Sequence, residues 1–152
     1  MELDIEKCSA CGACAIACMD QNDIDVEAGV GALRRIYDVE QLGPAAYMSI
    51  SCMHCDEAPC IASCPSGCIG KDPETDLTVY DHANCIGCHS CALACPYGAP
   101  SFDVDGRMIK CDGCLERLRN GYEPACVRTC PTGAIRLRDL DAKASETGLD
   151  AS

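Results

Sequence analysis

An α+β fold made of two small, internally repeated units is predicted for this chain, and three observations in its 152 residues carry the prediction. Sixteen of the 17 cysteines form four groups of four: Cys8-x2-Cys11-x2-Cys14-x3-Cys18, Cys52-x2-Cys55-x4-Cys60-x3-Cys64, Cys85-x2-Cys88-x2-Cys91-x3-Cys95 and Cys111-x2-Cys114-x11-Cys126-x3-Cys130. The last three groups run on as Cys64-Pro-Ser-Gly-Cys-Ile, Cys95-Pro-Tyr-Gly-Ala-Pro and Cys130-Pro-Thr-Gly-Ala-Ile, variants of one Cys-Pro-x-Gly-Ala-Ile unit. Between the groups lie only short stretches of strand or helix patterning. With no Trp and one Phe, the chain cannot build a conventional aromatic core, so covalent or metal staples must organise it.

The elements are short and set by the cysteines. Ala15-Ile-Ala17 and Ala92-Leu-Ala94 lie between cysteines at helical spacing and predict a turn or two of helix presenting sulfurs on one face. Leu33–Val39 follows the turn material Gly29-Val-Gly31 and is rich in β-formers, so a strand is predicted there. Tyr47–Ile50 and Leu77–Tyr80 predict two more short strands. In each repeat the Pro ends a helical turn and the Gly permits a sharp reversal into a strand. The stretch between Cys114 and Cys126 reads as a helix ended by Gly121. Residues 139–152 are polar and weakly periodic, and read as a disordered or docking tail. By register with Ala99 and Ala134, Cys68 is the spare cysteine, a small buried residue and not a ligand.

The grouping of the thiols selects their chemistry. Disulfide frameworks rarely crowd three cysteines into seven residues. Cys8 lies too close to the N-terminus for a secretory leader to precede it, so a reducing, cytoplasmic setting is expected, or export bound to a partner. Structural zinc wants two separated Cys pairs, often with His. The few histidines, His54, His82 and His89, sit inside or just before the groups, where spacers or hydrogen-bond donors are expected. Three close cysteines followed by Cys-Pro is instead the ligand run of a bacterial-type [4Fe–4S] ferredoxin. Four runs imply four [4Fe–4S] clusters, and a metal-free chain that is largely unfolded. The formal charge of −12 becomes about −20 with four clusters aboard. That excludes nucleic acid and anionic membrane as partners and favours a more basic protein surface. No stretch approaches the roughly 18 apolar residues of a membrane span.

In a two-cluster ferredoxin the fourth cysteine of each run binds the other cluster, so four runs make two exchanging pairs. Sequential pairing and nesting are both open. Runs two and three are 20 residues apart and runs one and two 33, which mildly favours runs two and three nested within a unit made by runs one and four.

The longer motifs are more specific. Ser49-Ile-Ser-Cys-Met-His-Cys55, Pro59-Cys60, Cys64-Pro-Ser-Gly67, Cys85-Ile-Gly-Cys88, Ala94-Cys-Pro-Tyr-Gly-Ala-Pro100, Lys110-Cys-Asp-Gly-Cys114 and Cys126-x3-Cys130-Pro131 resemble the four-cluster electron-transfer subunit of the dimethyl-sulfoxide-reductase family of molybdenum and tungsten enzymes. The resemblance implies two ferredoxin-like domains related by a pseudo-twofold. Residues 1–50 with 107–138 form the outer one, and 51–106 the inner one. It also implies four ligand sets: Cys8, Cys11, Cys14 and Cys130; Cys52, Cys55, Cys60 and Cys95; Cys85, Cys88, Cys91 and Cys64; and Cys111, Cys114, Cys126 and Cys18. All sixteen positions are Cys, so no [3Fe–4S] centre is expected.

The expected role is a non-catalytic relay serving a molybdenum- or tungsten-cofactor subunit. The chain's compactness points to a soluble aldehyde or acyl-CoA oxidoreductase, a transhydroxylase or a formate dehydrogenase. A flavin subunit, a further iron–sulfur subunit or self-association could complete the circuit. The alternative is a free polyferredoxin carrier or a filament-forming wire. No radical-SAM run, P-loop or G-x-G-x-x-G is present, which argues against an independent enzyme. Lys7 and Lys110, each just before a run, either tune the adjacent cluster or are solvated surface lysines.

Overall fold

The computed structural model describes residues 1–39 and 46–137. The polar segment 139–152 lies outside the described residues. The order is β1 (Glu2–Leu3), α1 (Ala13–Gln21), β2 (Arg35–Asp38), β3 (Tyr47–Ile50), α2 (Pro59–Ala62), β4 (Ile69–Lys71), β5 (Thr78–Tyr80), α3 (Ser90–Ala94), β6 (Ser101–Phe102), β7 (Met108–Ile109), α4 (Leu115–Arg119), α5 (Ala125–Thr129) and β8 (Ile135–Arg136). The result is a small mixed α/β protein. Among the described residues the strands form four antiparallel two-stranded ribbons, β1–β8, β2–β3, β4–β5 and β6–β7.

The repeat explains three of these strands. In each Cys-Pro-x-Gly turn the Gly N–H donates to the Cys carbonyl, at 3.3 Å for Gly67, 3.4 Å for Gly98 and 3.3 Å for Gly133. The three glycines take φ of 65°, 59° and 63°, a left-handed backbone that costs other L-residues about 1–2 kcal/mol. Pro supplies the fixed φ of the turn's second position. The chain leaves each turn directly into β4, β6 or β8.

Long-range closure follows from the ends of the chain. Glu2 pairs with Arg136 and Leu3 with Ile135, and the Asp4 N–H donates to the Ala134 carbonyl at 2.8 Å. Helix α1 packs on α5, and α2 packs on α3. The buried core comes in three patches, each containing cysteine: Cys60, Cys68, Ile69, Cys91 and Met108; Cys18, Leu33, Cys52 and Cys111; and Cys14, Cys126 and Ile135. Apolar carbon is scarce in all three, so sulfur occupies what would otherwise be core positions.

Two local expectations are revised. The segment after Cys114 is a helix, a turn and a second helix. Helix α4 ends at Arg119, Gly121 turns at φ 75° with its N–H on the Leu118 carbonyl, and Pro124 opens α5, which carries Cys126. Asn120-Gly121 and Pro124 together break the helical pattern. Strand β2 is shorter than expected because Leu33 and Arg34 turn into the interior before it begins.

Candidate metal centres

None of the 17 cysteines is in a disulfide, and the packing brings cysteines of different runs together. Cys8, Cys11 and Cys14 line an open pocket together with Cys130 of the fourth run, against apolar Ile36 and Ile135. Cys85, Cys88 and Cys91 line a second open pocket with Cys64 and also with Cys68, beside His89, Phe102 and Met108. Cys18 sits among Cys111, Cys126 and Cys114. Burial first, and then these three sulfurs in that order, push its thiol up to about 12. Burial and then Cys52 raise the Cys60 thiol, with Cys95 acting the same way and Lys110 opposing. Cys55, half-buried, closes the loop that starts at Cys52.

Each loop is shaped by one backbone feature. The residue just before the second cysteine of every run takes a left-handed conformation: Ala10 at φ 55°, His54 at 50°, Gly87 at 65° and Gly113 at 76°. This bends the C-x-x-C segment around a common centre. Two of the four positions are not glycine, which hides the pattern from sequence reading. At Gly87 and Gly113 an added Cβ would also meet the Gly106 carbonyl oxygen at 2.7 Å or Leu77 Cδ1 at 2.6 Å.

The sulfurs are met by donors. The Met108 N–H points at Cys85 Sγ (3.2 Å), the Gly113 N–H at Cys111 Sγ (3.4 Å) and the Asn22 amide at Cys18 Sγ (3.6 Å). Hydroxyls lie beside others: Ser49 at Cys14 (3.2 Å), Ser66 at Cys64 (3.6 Å) and Thr132 at Cys130 (3.6 Å). Ser66 and Thr132 occupy the variable position of the Cys-Pro-x-Gly unit, a hydroxyl signal that sequence reading passed over. Cys68 is buried, with its Sγ 3.5 Å from that of Cys64.

Four cationic or titratable side chains take positions that sequence could not locate. Lys7 is exposed and paired with Asp4 at 2.7 Å. Lys110, by contrast, is 2 % exposed and reaches Cys52 Sγ at 3.7 Å. His54 accepts the Thr78 N–H on Nδ1 at 3.1 Å and brings Nε2 within 3.8 Å of Cys111 Sγ. Burial, then the Lys110 charge, push its pKa down to about 3, so the imidazole is neutral and its proton lies on Nε2. Arg34, missed entirely by sequence reading, is buried. It donates to the Ser49 carbonyl (3.0 Å), Ser49 Oγ (3.1 Å) and Ser51 Oγ (2.7 Å), and its charge opposes the rise of the Cys18 and Cys111 thiols.

This donor set fits thiolate-ligated iron–sulfur clusters. Among the described residues no three His, Cys, Asp or Glu side chains converge tightly enough for one metal ion, whereas zinc would draw sulfurs to about 2.3 Å from a single centre. The two pockets are lined by sulfur, hydroxyl and apolar groups and, in the second, the His89 ring, without a carboxylate. N–H donors aimed at sulfur stabilise the thiolate form.

Comparison with known proteins decides the class. Residues 44–140 match the 4Fe-4S dicluster domain model, and residues 5–20 match a 4Fe-4S binding domain. The chain belongs to the 4Fe-4S dicluster family. As a member of it, the protein is an iron–sulfur electron-transfer subunit that binds [4Fe–4S] clusters. It is 38% identical to the probable anaerobic dimethyl sulfoxide reductase chain YnfG of Escherichia coli, over 99% of this chain and 78% of the relative. It is 40% identical to the B subunit of anaerobic dimethyl sulfoxide reductase of the same species, over 91% of this chain and 72% of the relative. The nitrate-inducible formate dehydrogenase iron-sulfur subunit of E. coli is 36% identical over 88% of this chain and 51% of its own length. Among the described residues of this dicluster protein, no helix is long and apolar enough to cross a membrane.

Proposed function

We propose that this dicluster subunit holds four [4Fe–4S] clusters in two nested pairs and relays electrons between a molybdenum- or tungsten-dependent catalytic subunit and a second redox partner. The observation that supports the reading is the series of contacts between cysteine runs. Run one shares its cavity with Cys130 of run four. Cys18 of run one sits among the other cysteines of run four. Runs four and two meet at Lys110 and His54, and Cys64 of run two completes the cavity of run three. The β1–β8 pairing and the α1–α5 packing support an outer domain of residues 1–50 with 107–138. The α2–α3 packing supports an inner one of 51–106.

When bound, such clusters supply reversible one-electron chemistry over a wide range of potential. The chain contributes ligation, spacing and surroundings. Cys18, Cys52, Cys60, Cys111 and Cys126 are buried and the rest of their sets half-buried, whereas the other two sets have one buried sulfur each, Cys14 or Cys91, and one exposed, Cys11 or Cys88, so the sets of runs four and two are the more enclosed. Exposed Ile16 neighbours the first opening in sequence, and exposed Ile86 and Leu93 flank Cys88. Apolar groups beside an exposed ligand suit docking of a redox partner at each end. The dimethyl sulfoxide reductase relatives match this chain at higher identity than the formate dehydrogenase subunit. A molybdenum oxide-reductase subunit is therefore the proposed catalytic partner, with formate dehydrogenase second.

Anaerobic purification of the native complex tests this. The expected result is about sixteen iron atoms per chain, no [3Fe–4S] resonance, and co-elution with a larger subunit containing molybdenum or tungsten. About eight or twelve iron atoms would overturn the cluster count. A chain recovered alone, fully loaded, would favour the free polyferredoxin carrier.

A further inference from the structure

Lys110 and His54 make reciprocal contacts between the two halves of the relay. Lys110 immediately precedes Cys111 of run four, yet its ammonium sits on run two, 3.7 Å from Cys52 Sγ. It also donates to the Cys111 carbonyl at 2.9 Å and to the Thr78 carbonyl, and lies 5.7 Å from the centroid of the Tyr80 ring. His54, between Cys52 and Cys55, points the other way, with Nε2 toward Cys111 Sγ. The Thr78 strand end holds both, through its carbonyl to Lys110 and its N–H to His54. Run four therefore places its cation on a sulfur of run two, and run two places a neutral N–H on a sulfur of run four.

A fully buried ammonium is costly unless an opposite charge compensates it. Among the described residues, no ion pair includes Lys110. Two carbonyls satisfy two of its three donors, and the third faces Cys52. The missing anion is the thiolate-bound cluster itself. A fixed positive charge stabilises the more negative, reduced form of a neighbouring centre. His54, being neutral, supplies only a hydrogen bond to the other centre.

We propose that Lys110 is the counter-charge that raises the reduction potential at the Cys52, Cys55, Cys60 and Cys95 set. It thereby makes this set an electron sink at the crossing from the outer to the inner pair. The inference rests on the four-cluster reading above. Lys110 acts through Cys52 and is a positioning residue for charge, not a ligand.

The test is an EPR-monitored redox titration of the purified complex carrying Lys110→Met, Lys110→Gln or Lys110→Arg. In the Met and Gln variants one centre, the one whose signal changes in Cys60→Ser, shifts negative by a factor of at least ten in its reduction equilibrium (about 59 mV for one electron). The other three centres stay in place. Lys110→Arg, which keeps the charge, holds the wild-type potential. Equal potentials in the Gln and Arg variants at full iron content overturn the proposal, as does a shift confined to a centre other than that of Cys60. If Lys110→Met loses its clusters, the Gln–Arg comparison decides alone. A wild-type complex with fewer than four centres would instead overturn the four-cluster reading, so the two failures are distinguishable.

Discussion

Backbone conformation at single residues sets the shape of each ligand loop. Ala10 and His54 hold the left-handed conformation that glycine fills in the other two runs, at about 1–2 kcal/mol each. Ala10→Gly removes that strain, at a residue that also lines the first pocket. It should slow the loss of the visible iron–sulfur absorbance in guanidinium, by an amount equivalent to about 1 kcal/mol; unchanged or faster loss would show that Ala10 contributes packing that outweighs the strain. Cys68 makes the opposite point. It is buried beside Cys64 and lines the second pocket, and on its register with Ala99 and Ala134 we propose that it fills space and is not a ligand. Cys68→Ala should keep about sixteen iron atoms per chain, whereas Cys91→Ala should lower the iron count. Sequence alone exposed the equivalence of Cys68 with alanine. It could not expose Ala10 or His54, because neither residue type advertises a positive φ.

Between elements, Arg119 of helix α4 ties down the β4–β5 hairpin by ion pairs to Asp72 and, at 3.6 Å, to exposed Glu74. Asp72 accepts from the Thr75 hydroxyl at 2.8 Å and from Arg119 at 2.8 Å. The Thr75 hydroxyl first, with the Arg119 charge among the further causes, holds the Asp72 carboxyl below its ordinary value of 3.8. A carboxylate whose pKa is lowered in the folded state contributes stability above that ordinary value and loses it as pH falls through the lowered one. Asp72→Asn should therefore lose resistance to guanidinium at pH 7, and the gap to wild type should close as the pH is taken below about 4. A gap that persists unchanged in acid would assign the loss to packing and not to the carboxylate. At this scale the turns were legible, since Cys-Pro-x-Gly predicts its own reversal three times. The Asp72–Arg119 link, spanning 47 residues, left no local mark.

Across the whole molecule the shortage of apolar carbon dominates. Each core patch includes cysteine, and Cys111 and Cys91 have thiols pushed up to about 11, first by burial. In the metal-free chain these groups are neutral, weakly cohesive thiols in place of iron-bound anions. Removing iron with a chelator should therefore abolish most far-UV circular dichroism and sharply raise protease sensitivity, because the ligands that join distant segments are released. A metal-free chain that keeps its secondary structure and protease resistance would show that the ribbons fold on their own. Local sequence alone determined the chemistry, the repeat and the reversal after each of the last three runs, since a C-x-x-C loop and a Pro-Gly turn are local geometries written in adjacent residues. Only the tertiary structure decided that the chain's ends close through β1 and β8, that Arg34 and Lys110 are buried, and that Lys110 and His54 cross between runs 57 or 58 residues apart. Those contacts depend on how separated segments pack, and an identical lysine on the surface would read the same in the sequence.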